Sequence, residues 1–264
     1  DQRSARVGFG LAGFATDRTS VWVGDWRFEQ DEGRYRAVVR SREFAYDLNL
    51  VASDPPMLNG LAGFSTKAPD PRHASHYYSR PQLAVRGRIV VGGRVRDVEG
   101  RAWLDHEWSS EVMAEHATGW DWIGINLHGG GSQMAFRMRD EEGRAMWTAV
   151  TLRDGDVEYR LQGPDVVSFT PLRYWRSPRT GAAYPVEWEL LLPRAGSEAR
   201  QADRRLRLLP LMDDQELDSS RSTGAIYWEG AVRVVESGAP PREGQVTAPE
   251  REIGRGYLEL TGYA

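Results

Sequence analysis

R-A-W-L-D-H-E-W-S-S (Arg101–Ser110) and, after a short connector, G-W-D-W-I-G-I-N-L (Gly119–Leu127) form the stretch that decides the fold. Counted with its connector, from Arg101 to Leu127, it holds four of the ten tryptophans and two of the five histidines. If both halves are β-strands, successive side chains alternate between two faces. One face of the first half then carries Trp103, Asp105 and Glu107, and the other carries Leu104, His106 and Trp108. In the second half Trp120 and Trp122 share a face, opposite Asp121, Ile123 and Ile125.

Acidic groups set between large aromatic rings indicate a pocket that contains a proton donor. Burial beside indole rings removes water from a carboxyl group and raises its pKa, which makes a general acid near neutral pH. Asp105 and Glu107 lie two residues apart on one strand, about 7 Å apart at the backbone, so one of them is expected to keep its proton. We expect that residue to be the general acid, with Asp121 or Glu229 as its partner, and His106 to anchor the strand from the opposite face. The alternative is that the tryptophans form core and the acids cap strand ends or pair with arginines.

The rest of the chain has the rhythm of β-structure. From Val21 onward, short alternating runs such as V-W-V-G-D-W-R-F and G-Y-L-E-L-T-G-Y are separated by turn signals. Gly92-Gly93 between two such runs predicts a two-residue hairpin, and the Pro- and Gly-containing segment 53–67 predicts a long loop of the kind that is often functional. Many short strands predict an all-β barrel or sandwich. The helix-like segment 109–118 predicts the junction between two domains, 1–109 and 110–264.

Composition excludes several classes of function. The formal net charge is −4 and the pI is near 5.8, so the chain has no general attraction for nucleic acid. The absence of cysteine excludes disulfides and thiolate nucleophiles. A P-loop, a strand-following G-x-G-x-x-G, an H-E-x-x-H and a G-x-S-x-G are all missing from the sequence. His73 and His76 have no obvious third ligand, so we expect no metal and no other cofactor.

The W-L-D-H-E-W motif followed by G-W-D-W-I-G-I-N-L resembles the AttH-like "predicted secreted hydrolase" family, which is related to the carotenoid 1,2-hydratases (hydroxyneurosporene synthases). The resemblance extends over nearly the whole chain from about Val21. It continues through N-G-L-A-G-F-S-T-K, A-S-H-Y-Y-S, S-P-R-T-G-A-A-Y-P-V-E-W, D-D-Q-E-L-D, Y-W-E-G-A-V and the final G-Y-L-E-L-T-G-Y.

The resemblance implies an all-β fold of two lipocalin-like antiparallel β-barrels packed together, with a ligand cavity near their junction. Family members carry further β structure before the point that matches Asp1, so we expect the first barrel to lack its N-terminal strands. The resemblance also implies a periplasmic or secreted location in a bacterium, although no signal-peptide pattern occurs at Asp1. It implies an ABC transporter system as a partner beside a small apolar ligand.

One difference limits what the resemblance carries over. The carotenoid hydratases read closer to D-H-N-W at the D-H-E-W position and have a further acid near the counterpart of Gln133–Phe136. The corresponding Q-M-A-F offers no acid here. The resemblance therefore implies an aromatic, acid-lined pocket in this chain, but it does not by itself imply carotenoid hydration.

Two functions remain open. The first is acid–base hydration or hydrolysis of a lipid- or isoprenoid-like molecule, in which indole faces stabilise a cationic centre and an acid delivers the proton. The ionisable candidates are Asp105, His106, Glu107, Asp121 and Glu229. The substrate-binding candidates are Trp103, Trp108, Trp120, Trp122, Tyr77, Tyr78, Tyr227, Trp228 and Lys67. The second function is a non-catalytic lipocalin-like carrier or transporter accessory, which needs a cavity but no acid with a raised pKa.

Overall fold

The computed structural model describes residues 3–111, 113–193, 204–221, 224–236 and 250–264. All the secondary structure in these ranges consists of β-strands, joined in two antiparallel sheets. The predicted all-β, lipocalin-like fold class is confirmed. Within the same ranges no helix occurs that could cross a membrane.

The first sheet contains nine strands from the first part of the chain. They are β1 (Ala12–Phe14), β2 (Ser20–Val23), β3 (Trp26–Asp31), β4 (Arg34–Arg40), β5 (Phe44–Val51), β6 (Met57–Leu58), β7 (Phe64–Thr66), β8 (Ala74–Val91) and β9 (Arg94–Glu111). Their order in the sheet is β1-β2-β3-β4-β5-β8-β6, and β7 and β9 also pair with β8.

The second sheet contains ten strands. They are β10 (Ala117–Leu127), β11 (Ser132–Asp140), β12 (Ala145–Asp154), β13 (Val157–Gly163), β14 (Ser168–Arg176), β15 (Ala183–Leu192), β16 (Arg204–Pro210), β17 (Glu216–Asp218), β18 (Ile226–Glu236) and β19 (Arg251–Thr261). The order is β13-β12-β11-β10-β19-β18-β16-β15-β14, and β17 pairs with β18. The last strand of the chain therefore lies in the middle of the sheet, next to the tryptophan-rich β10.

Two local predictions have clear outcomes. Gly92 and Gly93 both have a positive φ, 55° and 74°, and join β8 to β9, so the two-residue hairpin is confirmed. The segment 109–118 is not helical in its described part, because β9 continues to Glu111 and β10 begins at Ala117. Pairing of β9 with β8 extends the strand here, and such tertiary contacts override a weak helical propensity.

Contacts along the chain divide it into two compact units. The first contains Asp1–Pro55, Arg80–Leu104 and Ser219–Gly224, and the second contains Pro56–Ser79, Asp105–Asp218 and Ala225–Ala264. The segments 56–79 and 105–109 thus belong to the second unit by contact, although they precede residue 110. The division into domains 1–109 and 110–264 stays a prediction.

Each unit has its own apolar core. In the first unit, Tyr35, Leu50 and Leu83 are buried together. In the second unit a larger core fills the inner face of the second sheet, and its largest fully buried side chains are Trp188 and Trp228. The alternation in β10 sends Ile123 and Ile125 into this core, as the sequence predicts. Trp120 and Trp122 therefore lie on the opposite, outer face of the same strand.

Candidate active site

One cross-strand row on the outer face of the second sheet forms the floor of the site. From β18 to β13, the residues paired along it are Glu229, Glu259, Trp122, Phe136, Ala149 and Gln162. Directly paired residues of antiparallel strands point to the same side. The row therefore places two carboxylates beside two aromatic rings on one continuous surface within the second unit.

The segment around β7 and β8 supplies a second layer over the aromatic part of this row. Trp122 Nε1 donates a hydrogen bond to Tyr77 Oη (2.8 Å). Lys67 Nζ lies 4.7 Å from the ring centroid of Phe136 and 4.8 Å from that of Tyr77. Attraction between an ammonium and two ring faces is stronger when the charge is shielded from water, and Lys67 is only 3% exposed. The segment 53–67, predicted as one long loop, contains the short strands β6 and β7, and its last residue contributes a buried cation to the site.

Asp105 is held by two hydroxyl groups. Tyr77 Oη donates to Oδ2 (2.8 Å) and Ser79 Oγ donates to Oδ1 (2.6 Å). Ser79 in turn accepts a hydrogen bond from Asn59 Nδ2 (2.9 Å). Burial, followed by the charges of Asp105 and Glu107, raises the pKa of Tyr77 well above its ordinary value. Tyr77 therefore remains a neutral phenol that donates to Asp105, and Asp105 acts as an acceptor.

Glu107 is paired with the buried lysine. Its Oε1 lies 2.6 Å from Lys67 Nζ and accepts a hydrogen bond of 2.5 Å from Ser75 Oγ. Asp105 and Glu107 share one face of β9, as the alternation predicts. Both carboxylates accept hydrogen bonds from neighbouring groups: two hydroxyl groups at Asp105, and an ammonium and a hydroxyl group at Glu107. The general-acid role of these two residues stays a prediction, and their contacts point to another donor.

Glu259 has the environment that was expected of the acid. Desolvation raises its pKa to about 7, and the nearby charges of Glu229, Asp105 and Glu107 act in the same direction. A hydrogen bond from Trp120 Nε1 to Oε1 (2.9 Å) opposes the shift. Among the described residues, no lysine or arginine forms an ion pair with Glu259. A carboxylic acid with a pKa of about 7 is half protonated at neutral pH and can both give and take a proton.

Glu229 lies directly opposite Glu259 in the β18–β19 pair. Burial raises its pKa, and a long hydrogen bond from Tyr257 Oη (3.3 Å) lowers it. Two carboxylates opposite one another repel when both are charged. The pair therefore favours states that contain at least one proton. Glu229 was expected to be the partner of Asp105 or Glu107, and it lies opposite Glu259. Its catalytic role stays a prediction.

Asp121 lies on the other side of the same sheet. Its carboxylate is fully buried and forms ion pairs with Arg137 (2.5 Å) and Arg139 (3.0 Å). Tyr263 Oη donates a further hydrogen bond of 2.8 Å. These partners match the alternative in which an acid pairs with arginines. The structure does not bring Asp121 to the outer-face row, so the catalytic role given to it finds no support in its contacts.

Three of the aromatic and histidine candidates, His106, Tyr78 and Trp108, lie on the reverse face of β8 and β9 beside His76. His106 Nδ1 is 3.0 Å from Tyr78 Oη, and the His106 ring packs against Trp108, which is 50% exposed. His76 stacks on Trp108 as well, with ring centroids 5.3 Å apart. His106 is thus anchored through a hydrogen bond, as expected. These side chains form an outward aromatic ladder and do not line the row that carries Glu259.

The remaining tryptophan and tyrosine candidates are divided among different environments. Trp228 is fully buried in the inner core, where its Nε1 donates to the carbonyl of Asp213 (2.7 Å). Tyr227 lies on the outer face and pairs with Thr261. Trp103 belongs to the part of β9 that lies in the first unit. Of the predicted walls, the structure places Trp120, Trp122 and Tyr77 at the site.

Sequence reasoning missed Glu259 and Phe136. Glu259 stands in G-Y-L-E-L-T-G-Y, where an acid between leucines is typical of a solvated strand face. Its alternation with Leu258 and Leu260 is visible in the sequence, but the pairing of β19 with β10 is not. Only that pairing puts Glu259 beside Trp122 and Trp120. Phe136 was read merely as the absence of an acid, whereas its ring lies against Lys67.

No group of three His, Asp or Glu side chains suited to a metal ion occurs in the part of the chain that the structure describes. The site as described is built from carboxylates, phenol, indole and a lysine. Its own groups can therefore transfer protons and stabilise positive charge.

Sequence and structure comparisons agree with this fold. The model of the AttH-like family matches residues 1–263. The chain belongs to the AttH-like family. Among curated proteins, none matches this sequence. A crystal structure of an AttH-type protein from Nitrosomonas europaea is 44% identical, with a TM-score of 0.82, and the match covers 98% of this chain and 75% of that one.

Two more distant structures share the fold of this AttH-like chain. Kievitone hydratase from Nectria haematococca is 18% identical with a TM-score of 0.68, over 92% of this chain and 70% of that one. CghA, determined with Sch210972, is 10% identical with a TM-score of 0.53, over 94% and 72% of the two chains. At these identities the likeness concerns the fold alone.

Proposed function

We propose that this AttH-like protein adds water across a carbon–carbon double bond of an apolar, isoprenoid- or lipid-like molecule, with Glu259 as the general acid. The observation that carries the proposal is the position of Glu259, in one cross-strand row with Trp122 and Glu229 and hydrogen-bonded by Trp120. Desolvation there raises its pKa to about 7. Kievitone hydratase shares the fold, which supports hydration as a chemistry that this architecture accommodates.

The residues divide the reaction into two proton transfers. Protonated Glu259 gives its proton to one alkene carbon, which leaves a carbocation on the other. The indole faces of Trp120 and Trp122 stabilise this cation. A water molecule forms the new carbon–oxygen bond and loses a proton to the Glu229–Glu259 pair, which restores the starting state. The net change is the addition of one water, and the same acid can serve in both directions because its pKa lies near neutral pH.

Asp105, Glu107 and Lys67 have a supporting role in this proposal. Asp105 fixes Tyr77, and Tyr77 fixes the indole ring of Trp122. The Glu107–Lys67 pair holds a cation against Phe136 and Tyr77. These contacts orient the aromatic wall, and the negative charges of both acids keep Glu259 protonated to higher pH.

The test compares Glu259→Gln with Glu142→Gln, a change of the same kind in a turn where Glu142 is 64% exposed. Acyclic isoprenoid alkenes are incubated with each protein in deuterium oxide, and products are examined for one added water and one deuterium on carbon. We expect Glu259→Gln to bind these alkenes within a few-fold of the unchanged protein and to lose about two orders of magnitude or more in turnover.

Full turnover by Glu259→Gln would remove Glu259 from the mechanism. Binding of the alkenes without any water adduct from the unchanged protein would favour the carrier, whose cavity needs no acid. The envelope location and the transporter partner belong to this proposal through the family resemblance, and cell fractionation of the native host tests the first of them.

A further inference from the structure

We infer that the site selects ligands whose head group is neutral or cationic and excludes carboxylates of the same shape. This inference rests on the site of the proposed function and goes further, since it specifies the substrate's charge. Fatty acids, which would otherwise suit an apolar site, are thereby excluded as substrates.

The charges around Glu259 are the first basis. Among the described residues of the site, four carboxylates stand near one another: Asp105, Glu107, Glu229 and Glu259. They face one ammonium group, that of Lys67. Glu229 is paired with Glu259 across β18 and β19. Trp122, the neighbour of Glu259 on β10, donates to the Tyr77 hydroxyl that donates in turn to Asp105. A second anion brought beside Glu259 would be repelled, and a cation would be attracted, most strongly where water is excluded.

Lys67 does not provide an anchor for an anionic ligand. Its ammonium is 2.6 Å from Glu107 Oε1 and packs against the faces of Phe136 and Tyr77. With only 3% of the side chain exposed, it has little surface left for a ligand. An incoming carboxylate would have to separate this ion pair, and leaving a buried charge without its partner is costly.

The same charges match what the reaction needs. Protonation of an alkene creates a carbocation, so a site that favours positive charge is complementary to the transition state more than to the neutral substrate. An ammonium placed at the end of an apolar chain resembles that cation in charge. Such an amine is therefore expected to bind more tightly than the isosteric alcohol, and the alcohol more tightly than the carboxylate.

The experiment uses decylammonium, decanol and decanoate, which share one chain and differ in head-group charge. Their affinities for the unchanged protein are measured by isothermal titration calorimetry at pH 6 and pH 8. At pH 8 we expect decylammonium to bind about tenfold or more tightly than decanoate, with decanol between them. The ammonium and the carboxylate keep their charges at both pH values, so any change with pH belongs to the protein.

The preference for the amine should grow from pH 6 to pH 8 as Glu259 loses its proton. The titratable groups that act on Glu259 are Glu229 on β18, Asp105 and Glu107 on β9, and Tyr257 on its own strand. Tyr77 lies between Trp122 and Asp105, and Lys67 is paired with Glu107. Burial raises the pKa of Glu229 as well. In Glu259→Gln the growth should be reduced, and in Glu142→Gln it should be unchanged.

Equal or tighter binding of decanoate in the unchanged protein would overturn the inference, and so would failure of all three ligands to bind. The two proposals remain distinguishable. Amine selectivity without any water adduct would leave the charge selection standing and remove hydration. Hydration of an alkene together with tight binding of decanoate would leave the proposed function standing and remove the charge selection.

Discussion

Asp121 and Glu259 lie one position apart across two neighbouring strands, yet on opposite faces of the same sheet. Asp121 pairs with Leu260, and Glu259 pairs with Trp122. Both carboxyl groups are removed from water to a large degree. Asp121 meets two guanidinium groups and a phenol, whereas Glu259 meets one indole N–H and the fields of three other acids.

The difference shows that burial alone does not make a catalytic acid. Burial removes the stabilisation that water gives to a charged carboxylate, and the neighbours decide whether the charge is stabilised again. On the inner face, Arg137 and Arg139 form ion pairs with the Asp121 carboxylate, and Asp121 has a structural role. On the outer face, like charges add to the desolvation and Glu259 keeps a proton near neutral pH. The two variants with the largest expected effects replace the acid on each face by its amide, first Asp121 and then Glu259.

Asp121→Asn should cause the largest loss of stability. It leaves Arg137 and Arg139 buried without their carboxylate, and breaking a buried ion pair from one side costs about 3–5 kcal/mol. Urea unfolding followed by circular dichroism measures the change. The matched control is Asp97→Asn, which removes an 85% exposed partner of Arg88 and should cost less than about 1 kcal/mol. Similar losses in the two variants would contradict a structural role for Asp121.

Glu259→Gln should stabilise the folded protein, whereas Asp121→Asn destabilises it, and the size of the gain should depend on pH. The folded-state pKa is raised from 4.5 to about 7, so the folded protein keeps a proton that the unfolded chain loses. Stability therefore falls as pH rises between these values, and the penalty is complete above about pH 7. The amide removes this penalty, so the variant should be more stable by roughly 3 kcal/mol at pH 8 and little changed at pH 4. Equal effects at both pH values would exclude the raised pKa.

Tyr77→Phe tests whether hydrogen bonds from neutral groups around Asp105 contribute as much to stability as the ion pairs around Asp121. The change removes the hydroxyl that donates to Asp105 and accepts from Trp122. The loss of these two hydrogen bonds of partly buried groups should cost about 1–3 kcal/mol, measured by urea unfolding. Tyr174→Phe, at a residue that is 57% exposed, is the control and should change stability by about 0.5 kcal/mol or less.

The contrast between the two faces was partly visible in the sequence. Alternation in G-W-D-W-I-G-I-N-L correctly separated Asp121, Ile123 and Ile125 from Trp120 and Trp122, because a strand with one buried face fixes its side chains with a period of two. The same rule placed Asp105 and Glu107 together. The Gly92-Gly93 hairpin was equally readable, since two successive positive φ angles favour glycine.

The pairing of strands that are distant in the chain could not be predicted from the sequence. β19 comes more than a hundred residues after β10 in the chain, and local patterns do not say which strands become neighbours. Glu259 therefore looked like an ordinary solvated acid, and Asp121 looked like a pocket acid, because the arginines that neutralise it are on β11. Trp228 was predicted to line the pocket for a related reason. The alternation shows which residues share a face with Trp228, but it does not show which face of the sheet the core covers.

The smallest expected effect separates desolvation from charge at Glu259 itself. Desolvation is the largest cause of its raised pKa, and the charge of Glu229 is the next cause that raises it. Glu229→Gln removes that charge but keeps the side chain over the same area, so the pKa of Glu259 should fall below about 7 and stay above 4.5. The stability of Glu229→Gln and of the double variant with Glu259→Gln, measured from pH 4 to pH 9, gives this pKa from the pH at which their difference changes. We expect the shift to correspond to roughly 1 kcal/mol or less. A return of Glu259 to its ordinary pKa would mean that the like charge of Glu229, and not the removal of water, distinguishes the outer face from the inner one.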